Sequence, residues 1–454
     1  MTLGDRLLSM EEARDLVHAR ITGPTEAEST WILEARGRVA AEAVTSAIPL
    51  PPWDNSAMDG YAIRAADVAA ATEGEPALVV VVGEVRAGSA PDRAVGLGEA
   101  IRIATGAPVP PGADAVVPVE STTPLGDDGV PSGPRGRDAA GPLPAAVHVH
   151  GPVPVGGSIR PSGSDIAAGA ILVEPGTVLT PAVIGFVAGA GIDHVAVHRR
   201  PIVGILATGD EVRGPGVELG PAGIPDANGP GLVAMVEAAG GDPRVLGIAA
   251  DRFDDVHARI VAGLAEGADA VIVSGGVSVG PYDVVRAAFE DLGEMELWRV
   301  AVQPGKPFAF GVAERRWSDP DGVPQPALLF GLPGNPVSTF VTFELFVRPA
   351  IRRLAGHRPD RWYRPRDRGV LAEDVSKSHG RRAFVRTLVA RDPEGTPIRD
   401  ASGRLSVTLA GGASGQGSHV LSALASADAL AVIPEADDRL PAGSEIEVWW
   451  LDRD

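Results

Sequence analysis

DAVIVSGGVSVGPYD, residues 269–283, decides the reading of this chain. An apolar run ends at Val273, a loop of glycine and small polar residues follows, and helical spacing resumes at Tyr282 and lasts to Leu292. The device recurs through residues 200–348 in four more loops: ATGDE (207–211), IAAD (248–251), QPGKP (303–307) and GLPGNPVS (331–338). Strands are expected at 202–207, 244–249, 270–273, 297–302 and 327–330. Helices are expected near 231–239 and at 253–266, 282–292 and 336–354. Such alternation predicts an α/β domain with a doubly wound, mostly parallel sheet and right-handed crossovers. Loops that follow parallel strands gather on one edge, where ligands bind. Small residues there let backbone N–H groups approach a ligand, and helix N-termini favour anions. A pocket for a negatively charged group is the expectation.

On the N-terminal side, Ser9 and Glu12 have capping-box spacing and open a helix to about residue 20. Residues 25–42, with Trp31, Leu33, Ala35 and Val39 near helical spacing, read as a second helix. IPLPPWDNSAMDGYA (48–62) breaks that periodicity. The runs ALVVVVGEV, AIRIATG and DAVVPVE within 77–120 then read as strands of a β-rich lobe. The Gly/Pro-rich middle of 121–157 reads as a flexible surface loop. His148 and His150 beside it suit a metal if they share a strand, and otherwise are solvated loop histidines. A turn-rich stretch leads to a helix at 182–190. After His357 helical patterns stop, and RAFVRTLVA, ALAVIPE and EIEVWWL suggest a small C-terminal β-domain. The expected domains are 1–46 with 158–198, 47–157, 199–355 and 356–454.

Composition narrows the function. At 454 residues several domains are expected, and 44% hydrophobic residues with only 4% aromatics imply cores of Ala, Val, Leu and Ile. The net charge of −19 argues against a nucleic-acid tracker and requires any anionic ligand to find a local basic pocket. The lack of cysteine excludes disulfides, zinc–thiolate sites and thiol nucleophiles. Neither a signal pattern nor a stretch apolar enough to span a bilayer is seen, so a cytoplasmic protein without membrane attachment is expected.

Several residues carry candidate chemistry. SGGVSVG is not the dinucleotide fingerprint, and QPGKP is not a P-loop because Pro307 follows Lys306. SGGVSVG serves either as a phosphate cradle or simply as a tight turn. In GLPGNPVS, Asn335 is placed to cap a helix whose first residue is Pro336. Asp210, Glu211, Asp251 and Asp283 each follow a strand or glycine loop on the same edge. One such carboxylate is ordinarily a cap or turn residue; four suit Mg²⁺, which takes one or two carboxylates plus substrate oxygens. Asp54, Asn55, Ser56 and Asp59, flanked by Trp53 and Tyr61, read as a binding loop or as ordinary turns. Thr105 either donates a hydroxyl or closes a turn.

Taken in order, PPWDNSAMDGYA, ATGAPVPPGADAVVPVE, SGSDIAAG, ATGDE, SGGVSVGPYD, QPGKPFAFG, GLPGNPVS and QGSH resemble the molybdopterin molybdenumtransferases. This is the bacterial MoeA family, also represented by the C-terminal domain of gephyrin. The resemblance implies a segmented N-terminal part, a β-rich lobe, a molybdopterin-binding α/β domain and a small β-barrel. It also implies a homodimer with its cleft between subunits. The implied reaction inserts molybdate into adenylylated molybdopterin, hydrolyses the adenylate, and releases AMP and molybdenum cofactor with Mg²⁺ as the metal. The molybdopterin adenylyltransferase is an implied partner, and a gephyrin-like scaffold is the alternative function. Carried over by motif, Asp59, Asp210 and Asp251 are catalytic. Thr105, Asp165, Gly275, Gly276, Ser278, Lys306, Pro333, Gly334, Asn335 and Ser338 bind substrate, and Asp251 and Asp283 hold metal. The chain departs from the family pattern at Gln303, where a lysine is frequent, and at Val183 and Ala227.

Overall fold

The protein is described as a computed structural model over residues 7–136, 141–276, 284–314 and 326–451. The chain divides into two compact units, Met1–Glu42 with Pro175–Thr180 and Val195–Asp454, and Ala43–Glu174 with Pro181–His194.

In the first unit, helix α1 (Met10–Ala19) begins with the expected capping box. The Ser9 hydroxyl accepts from Glu12 N at 3.1 Å, and Ser9 N donates to the Glu12 carboxylate at 2.8 Å. The second helix expected at 25–42 does not form. Ala27–Trp31 is a strand paired with His194–His198, followed by a single 3₁₀ turn at Ile32–Glu34. Thr25, Ser29 and Thr30 compete poorly for helix. Trp31 and Leu33, noted for their helical spacing, are exposed, whereas Ile32 is buried. Gly37 at φ +75° then turns the chain.

The second unit is the β-rich lobe. Its six-stranded sheet runs Ala115–Pro118, Gly60–Ile63, Glu99–Ile103, Ala77–Val85, Ala146–Val149, Thr122–Leu125. Tyr61, Ile63, Val79, Val117, Val147 and Val149 form its core. The stretch 121–157, whose middle was expected to be a loop, carries a paired strand on each side of it, and Val147 and Val149 of the second alternate into that core. His148 belongs to the second of these strands, and His150 Nε2 lies 2.8 Å from the Thr123 hydroxyl. Among the described residues no group of three or more ligating side chains suits a metal. Helix α2 (Pro181–Gly189) closes the unit's second segment.

Strand period decides the central domain. Its strands are β1 (Ile202–Thr208), β2 (Asp242–Ala249), β3 (Ala270–Ser274), β4 (Gly293–Arg299), β5 (Pro307–Glu314) and β6 (Pro326–Leu332). The sheet order is β2-β1-β3-β6-β5-β4. Ala270, Ile272, Leu328, Phe330, Phe308 and Phe310 face one core. Val271, Val273, Ala327, Leu329 and Ala309 face the other. Helices α3 (Asn228–Ala239), α6 (Pro336–Thr342) and α7 (Arg348–Leu354) cover the first face. Helices α4 (Phe253–Ala265) and α5 (Val284–Leu292) cover the second. Burial on both faces gives near-continuous apolar strands, as a parallel sheet demands.

The sheet is mostly parallel, as expected, while some element bounds change. The sheet is parallel through β2, β1, β3 and β6 but antiparallel at β5 and β4. The strand expected at 297–302 lies earlier, and β5 starts at the last residue of the expected QPGKP loop, where no strand was expected. Proline tolerated at a strand's first residue concealed that start. The helix expected at 336–354 is interrupted by a π-type turn at Phe343–Val347.

The C-terminal β-domain is a closed barrel. Strands β7 (Arg366–Leu371), β8 (Arg382–Val389), β9 (Leu405–Leu409), β10 (Ala429–Ile433) and β11 (Glu445–Trp450) pair in the order β8-β9-β7-β11-β10, and β10 returns to β8. Closure leaves no open edge among these five strands. A five-residue helix, α8 (Leu421–Ala425), stands in a region where none was expected. No helix among the described residues is long and apolar enough to cross a membrane.

Candidate active site

The ends of β1, β3 and β6 lie side by side, so their loops meet. Residue pairs Ala207–Ser274 and Ser274–Leu332 are in register. Gly275 at φ +96° carries the chain past β1 so closely that a Cβ there would lie 2.4 Å from Thr208 O. Only glycine fits both demands. Gly334 in turn abuts Gly275, with an added Cβ 3.7 Å from its Cα. Between these loops and the barrel lies a cavity of about 550 Å³ lined by Asp251, Gly275, Gly276, Gly334, Asn335 and His419, among others.

Six residues expected at a site from sequence therefore share this cavity: Glu211, Asp251, Gly275, Gly276, Gly334 and Asn335. The Asp251 carboxylate is fixed by the buried Thr208, whose hydroxyl donates to Oδ1 at 2.7 Å. Asp210 stands beside it, Oδ1 accepting from Asp251 N at 3.3 Å. Glu211 lines the same cavity, and both Asp210 and Glu211 are exposed. The Gly275 N–H, expected to face an anion, is used internally and donates to Leu332 O at 3.1 Å.

Helix α6 starts at Pro336 as expected, but the Asn335 side chain makes no cap bond. The barrel supplies the partner instead: Val337 N donates to Ser418 O at 3.1 Å. This satisfies a donor that the first turn leaves open. Ser338 and Pro333 are buried under the loop. The Ser338 carbonyl accepts from the Thr342 hydroxyl, and that of Pro333 from the Thr339 hydroxyl. Lys306 is exposed in QPGKP, at the same sheet edge because β5 runs antiparallel to β6. Among the described residues its ammonium makes no hydrogen bond or ion pair. Gly305 holds this loop against α6, where an added Cβ would meet Thr342 Cγ2 at 2.5 Å. Ser278 and Asp283 lie outside the described residues.

In the other unit, Asp59 and Thr105 form a pair. Asp59 Oδ1 accepts from Thr105 N at 2.7 Å and from its hydroxyl at 2.9 Å. Asp165 is exposed in the neighbouring loop, its N–H donating to Leu50 O at 3.0 Å. Asp54 accepts from Ser162 N at 2.7 Å, which ties the Pro-rich loop to that segment.

Sequence reasoning missed three contributors. Asn228, at the start of α3, donates from one amide group to Ser274 Oγ at 2.9 Å and to Gly334 O at 2.8 Å. Thr208 fixes Asp251, and His419 brings the barrel to the cavity. His419 was within reach as the last residue of QGSH. That segment is held by the buried Arg386, whose Nη2 donates to Gly415 O at 2.7 Å and Gly417 O at 3.1 Å. Burial pushes the Arg386 guanidinium down to about 10.

The groups bonded to the Asp251 side chain and backbone are the oxygens of Thr208 and Asp210, the ligand type a hard cation takes. The glycine loops, these carboxylates and the Lys306 ammonium share one sheet edge.

Comparison with known proteins places this geometry. Three family models match in order: the MoeA N-terminal region (domain I and II) at residues 8–191, a probable molybdopterin binding domain at 204–353, and the MoeA C-terminal region (domain IV) at 368–451. Molybdopterin molybdenumtransferase 2 of Mycobacterium tuberculosis is 37% identical over 427 residues, covering 92% of this chain and 94% of the relative. The Haemophilus influenzae molybdopterin molybdenumtransferase is 32% identical over 443 residues, covering 97% and 98%. The crystal structure of the molybdopterin biosynthesis MoeA protein from Pyrococcus horikosii matches with a TM-score of 0.76 at 30% identity, covering 98% and 99%. On this likeness along nearly its whole length, the chain belongs to the MoeA family of molybdopterin molybdenumtransferases.

Proposed function

We infer that the protein acts in molybdenum cofactor biosynthesis, inserting molybdate into adenylylated molybdopterin as the adenylate is hydrolysed, with AMP and molybdenum cofactor released. The observation that carries this reading is the cavity where Asp251, Gly276, Gly334 and Asn335 converge beside Asp210. The scaffold alternative is not favoured, since the whole-length relatives are named transferases.

The physical problem is like-charge approach: a molybdate dianion must reach an anionic pterin adenylate inside a chain of net charge −19. Preorganised donors and a cation offset that repulsion. In our proposal Gly275, Gly276 and Ser278 border the adenylate, with Gly275 shaping the turn. Lys306, Pro333, Gly334, Asn335 and Ser338 form the phosphate and pterin side, where Pro333 and Ser338 act from beneath by holding the loop. Asp251 and Asp283 would hold Mg²⁺, which supplies charge neutralisation at the phosphate. Asp210 positions the molybdate or the attacking oxygen. Asp59, held by Thr105, and Asp165 serve the molybdate or pterin side.

The proposal extends to assembly and organisation. It places the working cleft in a homodimer, with the molybdopterin adenylyltransferase as the protein that hands over substrate, in the cytoplasm. It keeps four domains, 1–46 with 158–198, 47–157, 199–355 and 356–454. The ranges of the three family matches support the last two boundaries.

The test is reconstitution. Incubated with adenylylated molybdopterin, molybdate and Mg²⁺, the protein should restore activity to a cofactor-free molybdoenzyme, and omission of molybdate should abolish the effect. Failure to restore activity under these conditions removes the reading.

A further inference from the structure

The parallel ladder between β3 and β6 ends at Ser274 and Leu332, with one further bond from Gly275 N to Leu332 O. Beyond that point the two glycine loops leave the sheet. Close parallel strands do not by themselves fix the spacing of loops that have left the ladder. Yet residues 275–276 and 334–335 must face one cavity together.

The tie comes from a third element. Asn228, the first residue of α3, uses both hydrogens of its side-chain amide, one on Ser274 Oγ at 2.9 Å and one on Gly334 O at 2.8 Å. The orientation of that amide is forced. A carbonyl oxygen only accepts, so the NH₂ group and not the amide oxygen must face Gly334. Asn228 is itself steadied. Asp226 Oδ1 accepts from Gly229 N at 2.9 Å, holding the first turn of α3. Ser274 is buried, so its hydroxyl is a fixed anchor. Among the described residues this amide is the side-chain hydrogen-bonded link between the two loops.

We propose that Asn228 is a positioning residue that sets the distance between the Ser274–Gly276 and Gly334–Asn335 loops and so tunes the cavity for the adenylate phosphate. The inference rests on the proposed placement of the adenylate at these glycines. Asn228 need not touch substrate. Its effect is to hold preorganised backbone at the separation the phosphate requires, which is where electrostatic binding gains most.

Asn228→Asp tests this with almost no change of shape. It removes both donors and sets a carboxylate against the Gly334 carbonyl. AMP affinity, read by titration calorimetry with Mg²⁺, should fall by about ten-fold or more, and KM for adenylylated molybdopterin should rise in step. Thermal unfolding of the variant should stay within a few degrees of the native protein. Ser274→Ala removes one anchor and should weaken AMP about three-fold or more, and adding Asn228→Ala to it should cost less than the two separate losses combined. That coupling is a readout that general destabilisation would not produce. If Asn228→Asp does not fold, Ser274→Ala carries the test alone. Native AMP affinity in Ser274→Ala, or in a folded Asn228→Asp, overturns the inference. Native protein that fails to bind AMP or turn over would instead remove the underlying functional reading.

Discussion

Asp251 shows how much a single side chain depends on its support. Its carboxylate is exposed toward the cavity, and the buried Thr208 hydroxyl fixes one oxygen at 2.7 Å. Asp251→Asn keeps an oxygen for Thr208 but removes the negative charge. Turnover should fall by about a hundred-fold or more while circular dichroism and thermal midpoint stay native; turnover within two-fold of the native protein would take Asp251 out of the chemistry. At this scale the sequence was read unevenly. Acidic residues after strands stood out because few side chains other than carboxylates suit that place beside a hard cation. Asn228 did not, since Asp226-Ala227-Asn228 reads as a turn and its function lies in two contacts 46 and 106 residues away. Gln303, noted as a lost positive charge, has a structural use: its Oε1 accepts from Ser378 N at 3.2 Å on the barrel side.

Elements were legible where periodicity was backed by local chemistry. The capping box of α1 was readable because both of its bonds are local. Residues 25–42 were misread because a few apolar residues at helical spacing outweighed Thr25, whose hydroxyl donates to Arg199 O at 2.5 Å and favours the extended chain. The interruption at Phe343–Val347 was invisible for a different reason. Glu344 is buried there and receives Arg364 through two bonds of 2.9 and 3.0 Å, with Arg348 3.8 Å away. Replacing Glu344 by Ala leaves two guanidinium groups without this carboxylate. It should destabilise the fold by ~3–5 kcal/mol, measured by urea unfolding; a loss under ~1 kcal/mol would contradict this reading. Helix α1 adds a pH effect. Burial, with Arg353 and Arg14 nearby, holds His18 at about 4, below its ordinary 6.5. The unfolded chain therefore binds this proton first, and stability falls as pH drops from about 6.5 to 4. His18→Phe keeps a ring against Trp362, where the native rings lie 4.9 Å apart. It should remove ~1–3 kcal/mol of that acid-dependent loss. An unfolding profile over this range unchanged from native would refute the assignment.

At the scale of the whole molecule, the two glycine loops, the acids of the sheet edge and His419 of the barrel belong to one unit, while Asp59, Thr105 and Asp165 belong to the other. The central sheet was legible from sequence because its loops repeat; the partition into two units was not, because each unit is assembled from segments far apart in the chain. Our account has both sets serve one reaction in a homodimer. Sedimentation equilibrium should therefore find a particle of two 46.6-kDa chains at micromolar concentration, and a monomer would require a different cleft. The central claim is tested most directly by following AMP release from adenylylated molybdopterin by the native protein with Mg²⁺, with and without molybdate. The account predicts release that depends on molybdate and is matched mole for mole by molybdenum cofactor; adenylate left intact under both conditions would contradict it.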